Sequence, residues 1–293
     1  MSRELRSLGP GAPQVPAIGF GGMPLSIGGR PDDAQGIRVL HAVFDAGVTL
    51  IDTADVYCLD DDDIGHNERL IAKALRSWTG DRASLIVATK GGLRRPRGAW
   101  VTDGRPAHLR VACDQSLQAL GVEAIDLYQL HAPDNRVPFA DSVGALAELR
   151  AAGKIRRVGL SNVSVEEIDE ARGIVPITSV QNRLNPFFRE AVADGVVEHC
   201  ARLGIGFLAY SPVGGGRLNL KLPSHPVLQP IAQAHGVSPH AVVLAWVLAR
   251  GSTVIPIPGA RTVEHATDSL TATTMTLSPG DLAAIDRAQF SRA

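Results

Sequence analysis

The amino-acid sequence reads as an α/β chain folded into a parallel (β/α)8 barrel. Three observations lead there. An apolar strand pattern returns eight times, helical stretches separate the returns, and glycine closes many of those helices.

The N-terminal segments Glu4 to Leu8 and Gln14 to Pro16 flank the turn-rich Gly9-Pro10-Gly11-Ala12-Pro13, which predicts a short β-hairpin cap. Residues 18–22 form the first barrel strand. Its glycines resemble part of a dinucleotide fingerprint, but Gly19-Phe20-Gly21-Gly22-Met23-Pro24 lacks the third glycine, and proline stands where a helix would gather. Gly21 and Gly22 are therefore read as places where backbone comes close to a ligand. Asp32 or Asp33 then caps a helix whose face is Ile37, Leu40 and Phe44. Ala46-Gly47-Val48 ends it with glycine at the position after the cap, and a strand follows. The same ending recurs at Gly121, Gly153, Gly204 and Gly251, each shortly before an apolar run. The eight strands are 18–22, 49–52, 85–89, 125–130, 155–160, 178–181, 206–210 and 253–257. No linker interrupts them, so residues 1–293 are read as one domain.

Composition narrows the function. With 45% hydrophobic residues the chain can fill a large core, and a net charge of −1 excludes nucleic acid or an anionic membrane as the main partner. Three widely spaced cysteines (Cys58, Cys113, Cys200) fit a reducing compartment, and the N-terminus lacks the apolar stretch of a secretory signal. The longest apolar run, Ala241 to Ala249, is far short of a membrane span. A cytoplasmic location is expected, and composition says nothing of the oligomeric state. The run Asp60-Asp61-Asp62-Asp63 lacks the spaced ligands and closing Glu of a calcium loop, so no metal site is expected and the run reads as a solvated insertion.

In a barrel of this kind the active site lies where the strands end. Here those ends carry Gly21-Gly22, Asp52, Lys90, His131, Ser161-Asn162, Gln181-Asn182, Tyr210-Ser211 and Pro258-Gly259, with Tyr57 on the loop after Asp52. An acid placed where an apolar strand stops is poorly explained by packing. Three successive strands end in Asp52, Lys90 and His131, so these and Tyr57 converge at one rim. Lys90 beside Tyr57 favours the phenolate and lowers the phenol's pKa, while Asp52 keeps Lys90 charged and in place. His131 can orient a substrate carbonyl by a hydrogen bond. A proton donor beside a carbonyl suits hydride transfer, for which a nicotinamide cofactor must supply the hydride.

With these residues in view, the chain resembles the aldo-keto reductases over essentially its whole length. The family's Asp-Tyr-Lys-His tetrad is carried by Asp52, Tyr57, Lys90 and His131. The resemblance implies that Tyr57 is the general acid in reduction, or the base in oxidation. It also implies that Ser161, Asn162 and Gln181 meet the carboxamide of the cofactor and that Tyr210 stacks on its nicotinamide ring. Tyr210-Ser211-Pro212-Val213-Gly214-Gly215-Gly216-Arg217 resembles the family's pyrophosphate loop, and backbone N–H groups with Arg217 suit a diphosphate. Ile257-Pro258-Gly259-Ala260-Arg261 resembles its adenosine-phosphate segment, with His265 and Asp268 further along. Arg261 suits a 2′-phosphate, which favours NADPH over NADH. Asp268 and Ser269 stand where the family often has Glu and Asn.

The function implied is an NADPH-dependent oxidoreductase acting on a small carbonyl or alcohol substrate. A second reading is a nicotinamide-nucleotide-binding regulatory subunit like the channel-associated relatives, which keep the barrel and its nucleotide. A third, a metal-dependent hydrolase, needs clustered His and Asp ligands early in the chain, and the sequence has none there. Met23, Trp100 and residues 60–65 are expected to border the substrate. Arg94, Arg95, Arg97 and Arg105 surround Trp100 and face either a polar or anionic substrate or only solvent.

Overall fold

Alternation decides which side of each strand meets the core, and the computed structural model, which describes residues 4–293, follows it from the first element. The hairpin pairs β1 (Leu5–Ser7) antiparallel with β2 (Gln14–Pro16). Leu8 and Val15 are fully buried beneath the barrel. Arg6 donates to the carbonyls of Leu248 at 3.1 Å and Gly251 at 2.9 Å, tying the cap to the end of a late helix.

The barrel strands are β3 (Phe20–Gly21), β4 (Leu50–Asp52) and β5 (Ile86–Gly91). A second small hairpin, β6 (Leu93–Arg94) with β7 (Val101–Thr102), follows β5. The barrel resumes with β8 (Leu127–Leu130), β9 (Val158–Ser161), β10 (Ile177–Arg183), β11 (Gly206–Tyr210) and β12 (Val254–Pro256). The eight lie side by side in chain order and all run parallel. Gly19 N–H donates to Pro256 O and Gly21 N–H to Pro258 O, both at 3.0 Å, which joins the first strand to the last. The predicted (β/α)8 barrel and its hairpin cap are therefore what the chain forms.

Around the barrel run α1 (Asp33–Asp45), α2 (His66–Ser77), α3 (Pro106–Leu120), α4 (Phe139–Ala151) and α5 (Val165–Arg172). Then come α6 (Glu190–Ala193), α7 (Val196–Leu203), α8 (Gly215–Leu218) and α9 (Leu228–His235). The last are α10 (Pro239–Leu248), α11 (Val263–Leu270) and α12 (Pro279–Arg287). Asp32 caps α1 by accepting from Gln35 N–H at 2.7 Å. Gly47, Gly121, Gly153 and Gly204 take the left-handed conformation that ends a helix, as their positions predict. Gly251 does not. Its turn is set instead by its carbonyl, which accepts from Arg6 and from Val254 N–H.

Two large apolar cores result, beside a small third cluster of Ala54, Val56, Tyr57 and Leu93 at the rim. Leu50, Ile86, Ala88, Leu127, Leu208, Ile255 and Ile257 share a cluster with Leu8 and Val15, which is the floor of the barrel interior. Their neighbours in sequence, among them Ile51, Val87, Tyr128, Phe207 and Val254, belong to the larger cluster beneath the helices. Moving up each strand by two residues from the floor brings Leu50 to Asp52, Ala88 to Lys90, Leu127 to Gln129 and Leu208 to Tyr210. The interior is thus apolar below and polar at the C-terminal rim.

Cys58, Cys113 and Cys200 are free and buried; burial pushes the first up to about 11 and the other two to about 12, so all three are thiols. Among the described residues no single helix is long and apolar enough to cross a membrane. The apolar α10 is buried along most of its length.

Candidate active site

Register brings the rim residues together. Gly21 pairs with Asp52, Asp52 with Ala88, Lys90 with Gln129, and Ser161 with Gln181. Gly21 and Gly22 have little room for a side chain. A Cβ at Gly21 would lie 2.8 Å from Ile257 O, and one at Gly22 would lie 2.4 Å from Asn67 Oδ1. The close approach at these glycines is to the chain's own neighbouring strand and helix.

Lys90 is the hub. Its ammonium, fully buried, donates to Asp52 Oδ1 at 2.5 Å, Thr53 O at 2.8 Å and Tyr57 OH at 3.0 Å. The other Asp52 oxygen accepts from Gln181 Nε2 at 2.7 Å and Gln129 Nε2 at 3.2 Å. The carboxylate is therefore spent on holding its surroundings. His131 lies against Tyr57 with ring centroids 5.8 Å apart, edge to face, and its Nδ1 is buried without a partner. Trp100 approaches both rings, at 6.4 Å from Tyr57 and 6.5 Å from His131.

The electrostatics differ from the simple expectation at one point. Burial lifts the Tyr57 phenol above its usual value, and the opposing pull of Lys90 does not overcome it. Sequence reasoning predicts a lowered phenol because it weighs the charge and not the desolvation. Burial alone would draw Lys90 down, yet Asp52 and Tyr57 together hold its ammonium above the ordinary range. Burial, then Lys90, keeps His131 well below its usual value, as a neutral imidazole.

A second chain of contacts adjoins the first. Tyr210 OH donates to Asn162 Oδ1 at 2.8 Å, and Asn162 Nδ2 donates to His131 O at 3.0 Å and Ser161 Oγ at 3.1 Å. Asn162 holds a left-handed backbone, φ 60°, which an asparagine tolerates. Ser161, Asn162, Gln181 and Tyr210 thus form one hydrogen-bonded neighbourhood with the tetrad. Arg183 lies over the Tyr210 ring, its guanidinium carbon 5.4 Å from the centroid.

The remaining candidates are spread along the loops after β11 and β12. Ser211, Gly214 and Gly215 all have positive φ, which turns the chain sharply past Pro212 and Val213. Arg217 is exposed and donates to Arg292 O at 2.6 Å. Arg261, also exposed, donates to Pro24 O at 3.1 Å and Gly28 O at 2.8 Å. Ile257 packs in the floor of the barrel, while Pro258 is buried and Gly259 is exposed where β12 ends. His265 is exposed in the first turn of α11, where its N–H is capped by Thr262. Asp268 accepts from Ser238 Oγ at 2.6 Å, and Ser238 caps α10. That contact gives Asp268 a structural role of its own.

The family model of the Aldo/keto reductase family matches residues 17–289 of this chain. The chain belongs to the aldo/keto reductase family. It is an oxidoreductase of that family. "Probable aldo-keto reductase 1" of Glycine max is 35% identical over 299 residues, covering 92% of this aldo/keto reductase and 84% of the relative. The solved glycerol dehydrogenase of Gluconobacter oxydans superposes with a TM-score of 0.84 at 29% identity, covering 98% of this chain and 95% of that one. An aldo/keto reductase of Klebsiella pneumoniae, solved with NADP and acetate, gives 0.81 at 28% identity over 98% and 95% of the two chains.

Several residues of this aldo/keto reductase escape a sequence reading. Gln129 sits inside an apolar run, and only its register with Lys90 shows that it reaches Asp52. Asp55 and Glu68 are buried behind the tetrad, both raised above their usual values. Burial leads in each case, and for Asp55 the Glu68 charge adds to it. Glu68 Oε1 accepts from Thr89 Oγ1 at 2.6 Å. The acidic run makes a tight turn in which Asp60 accepts from Asp62 N–H at 3.1 Å and Asp63 pairs with Arg30.

Proposed function

We propose that this protein is an NADPH-dependent carbonyl reductase that converts an aldehyde or ketone to an alcohol, or runs the reverse. The observation that carries the reading is Lys90, a fully buried ammonium shared between a carboxylate at 2.5 Å and a phenol at 3.0 Å. A buried cation so placed has a clear use if the phenol must release a proton.

The residues fit a nicotinamide dinucleotide. Tyr210 offers an aromatic face at a strand end, and Ser161, Asn162 and Gln181 offer amide and hydroxyl partners beside it. The glycine-rich turn at 214–216 with Arg217, and the exposed Arg261, suit the phosphates. Gly21, Gly22, Ser211, Pro212, Val213, Ile257, Pro258, Gly259, His265 and Asp268 complete the assigned binding segments. The bound cofactor supplies the hydride. Tyr57, kept protonated by its burial, donates the proton to the carbonyl oxygen. Lys90 then stabilises the phenolate left behind, with Asp52 holding it in place. His131, uncharged, aims the carbonyl oxygen without competing for the proton. Solved relatives bound to NADP or NADPH support the choice of cofactor.

The test is NADPH absorbance across a panel of aldehydes and ketones, repeated with NADH. Tyr57→Phe is expected to lower turnover about 10²–10⁴-fold, the usual range for a positioned acid, with NADPH binding by fluorescence nearly unchanged. Equal loss of binding and turnover would remove Tyr57 from the chemistry. Absence of turnover with every carbonyl, alongside tight NADPH binding and a stable partner, would favour the regulatory subunit.

A further inference from the structure

Arg95, at the mouth of this site, is a cation without a counter-ion. It is 6% exposed, and among the described residues no carboxylate lies within salt-bridge distance of it. Its Nη2 donates to Cys58 O at 3.1 Å and Leu59 O at 3.2 Å, the residues directly after Tyr57. Its Nε and Nη1 are buried with no hydrogen-bond partner. A guanidinium presents five N–H donors in a planar fork, and leaving them unmet away from water is costly. The Trp100 ring covers its face, with the guanidinium carbon 3.9 Å from the ring centroid. Cation–π contact offsets a part of that cost but satisfies no donor.

The same Trp100 ring touches Tyr57 and His131, and it is 48% exposed. It stands at the end of a hairpin whose ladder has only two residue pairs, Leu93 with Thr102 and Arg94 with Val101. The connecting turn holds Arg97 at φ 50° and Gly98 at φ 81°. Little backbone structure resists movement of such a flap. Turning the ring aside would open one face of the guanidinium beside Tyr57 and His131.

We propose that Arg95 is a specificity residue that receives the carboxylate of an anionic carbonyl substrate once the Trp100 ring turns off it. The inference rests on the reductase reading given above. A carboxylate oxygen can accept from Nε or Nη1, both without partners, and its charge answers the guanidinium, whereas a neutral carbonyl compound leaves that charge unmet. Arg94 and Arg97 are exposed on the same flap and raise the local anion concentration, whereas Arg105 is neutralised by Asp103.

The experiment compares 4-carboxybenzaldehyde with methyl 4-formylbenzoate, its neutral ester, by NADPH absorbance. Wild type is expected to favour the acid about 10- to 100-fold in kcat/KM, the worth of one charge-assisted pair. In Arg95→Gln the ratio falls to about one, whatever happens to the absolute rates. In Trp100→Ala the preference for the acid survives, because the guanidinium is then open. Equal kcat/KM for acid and ester in wild type overturns the inference and leaves the reductase reading standing. So does an Arg95→Gln variant that slows both substrates by the same factor, which would make Arg95 only a clip on the 58–59 backbone. Turnover of neither substrate, nor of any other carbonyl, ends both readings together.

Discussion

An ammonium removed from water costs several kcal/mol unless acceptors surround it, and Lys90 has three within 3.0 Å. Removing one member of such a pair strands the other. Lys90→Met is therefore expected to abolish turnover and also to destabilise the fold by about 3–5 kcal/mol, because Asp52 is left charged and buried. Adding Asp52→Asn should recover much of that stability and none of the activity. The amide oxygen it introduces can still accept from Gln181, while the phenol has lost its cation. Urea melts on the single and double variants check this. A double variant no more stable than Lys90→Met would show that Asp52 is not held in place by charge. The four residues are legible in sequence because each is a polar residue where an apolar strand gives out. Gln129, Asp55 and Glu68 are not, because nothing local distinguishes a buried polar side chain from an exposed one. Only the pairing of β5 with β8 and the return of α2 across β4 and β5 place them.

At the scale of elements, the hairpin and the barrel floor act as one unit. Leu8 has no exposed surface and packs with Val15 among the interior ends of β4, β5, β8, β11 and β12. Leu8→Ala should cost about 2–5 kcal/mol, through lost burial and the cavity left behind. Its effect on kcat should be negligible, because the polar rim lies a layer above the floor. A Leu8→Ala enzyme with normal stability, or one with kcat reduced in proportion, would break the separation of floor from rim. The hairpin is readable from its Gly-Pro-Gly turn and its flanking apolar residues. The flap formed by β6 and β7 is not. Two-residue strands carry no alternation to detect, and the Arg95–Trp100 contact joins positions five apart across an irregular turn. Helix ends are legible wherever a left-handed glycine sets them and misleading at Gly251, where a side chain from β1 sets the turn instead.

Across the whole molecule, burial sorts the titrating groups into two opposing sets. His131, His66 and His240 are held below their ordinary 6.5, so below that pH the unfolded chain takes up protons that the folded chain refuses. Stability falls as pH drops from 6.5 downward, by up to about 1.4 kcal/mol per pH unit for each proton difference. Asp55 and Glu68 work the other way. Their folded forms keep protons above the ordinary 3.8 and 4.5, so the stability they lend is present at low pH. It is lost as pH rises through the ordinary values toward the raised ones. Glu68→Gln removes one of these groups while still offering an oxygen to Thr89. Its stability relative to wild type should therefore climb between pH 4.5 and pH 8, whatever the offset at the acid end. Thermal melts of both proteins at those two pH values measure the change. A variant Tm that does not rise relative to wild type between the two pH values would mean that Glu68 is ionised in the fold at least as freely as in water. Glu68 would then have no part in setting how this barrel responds to acid.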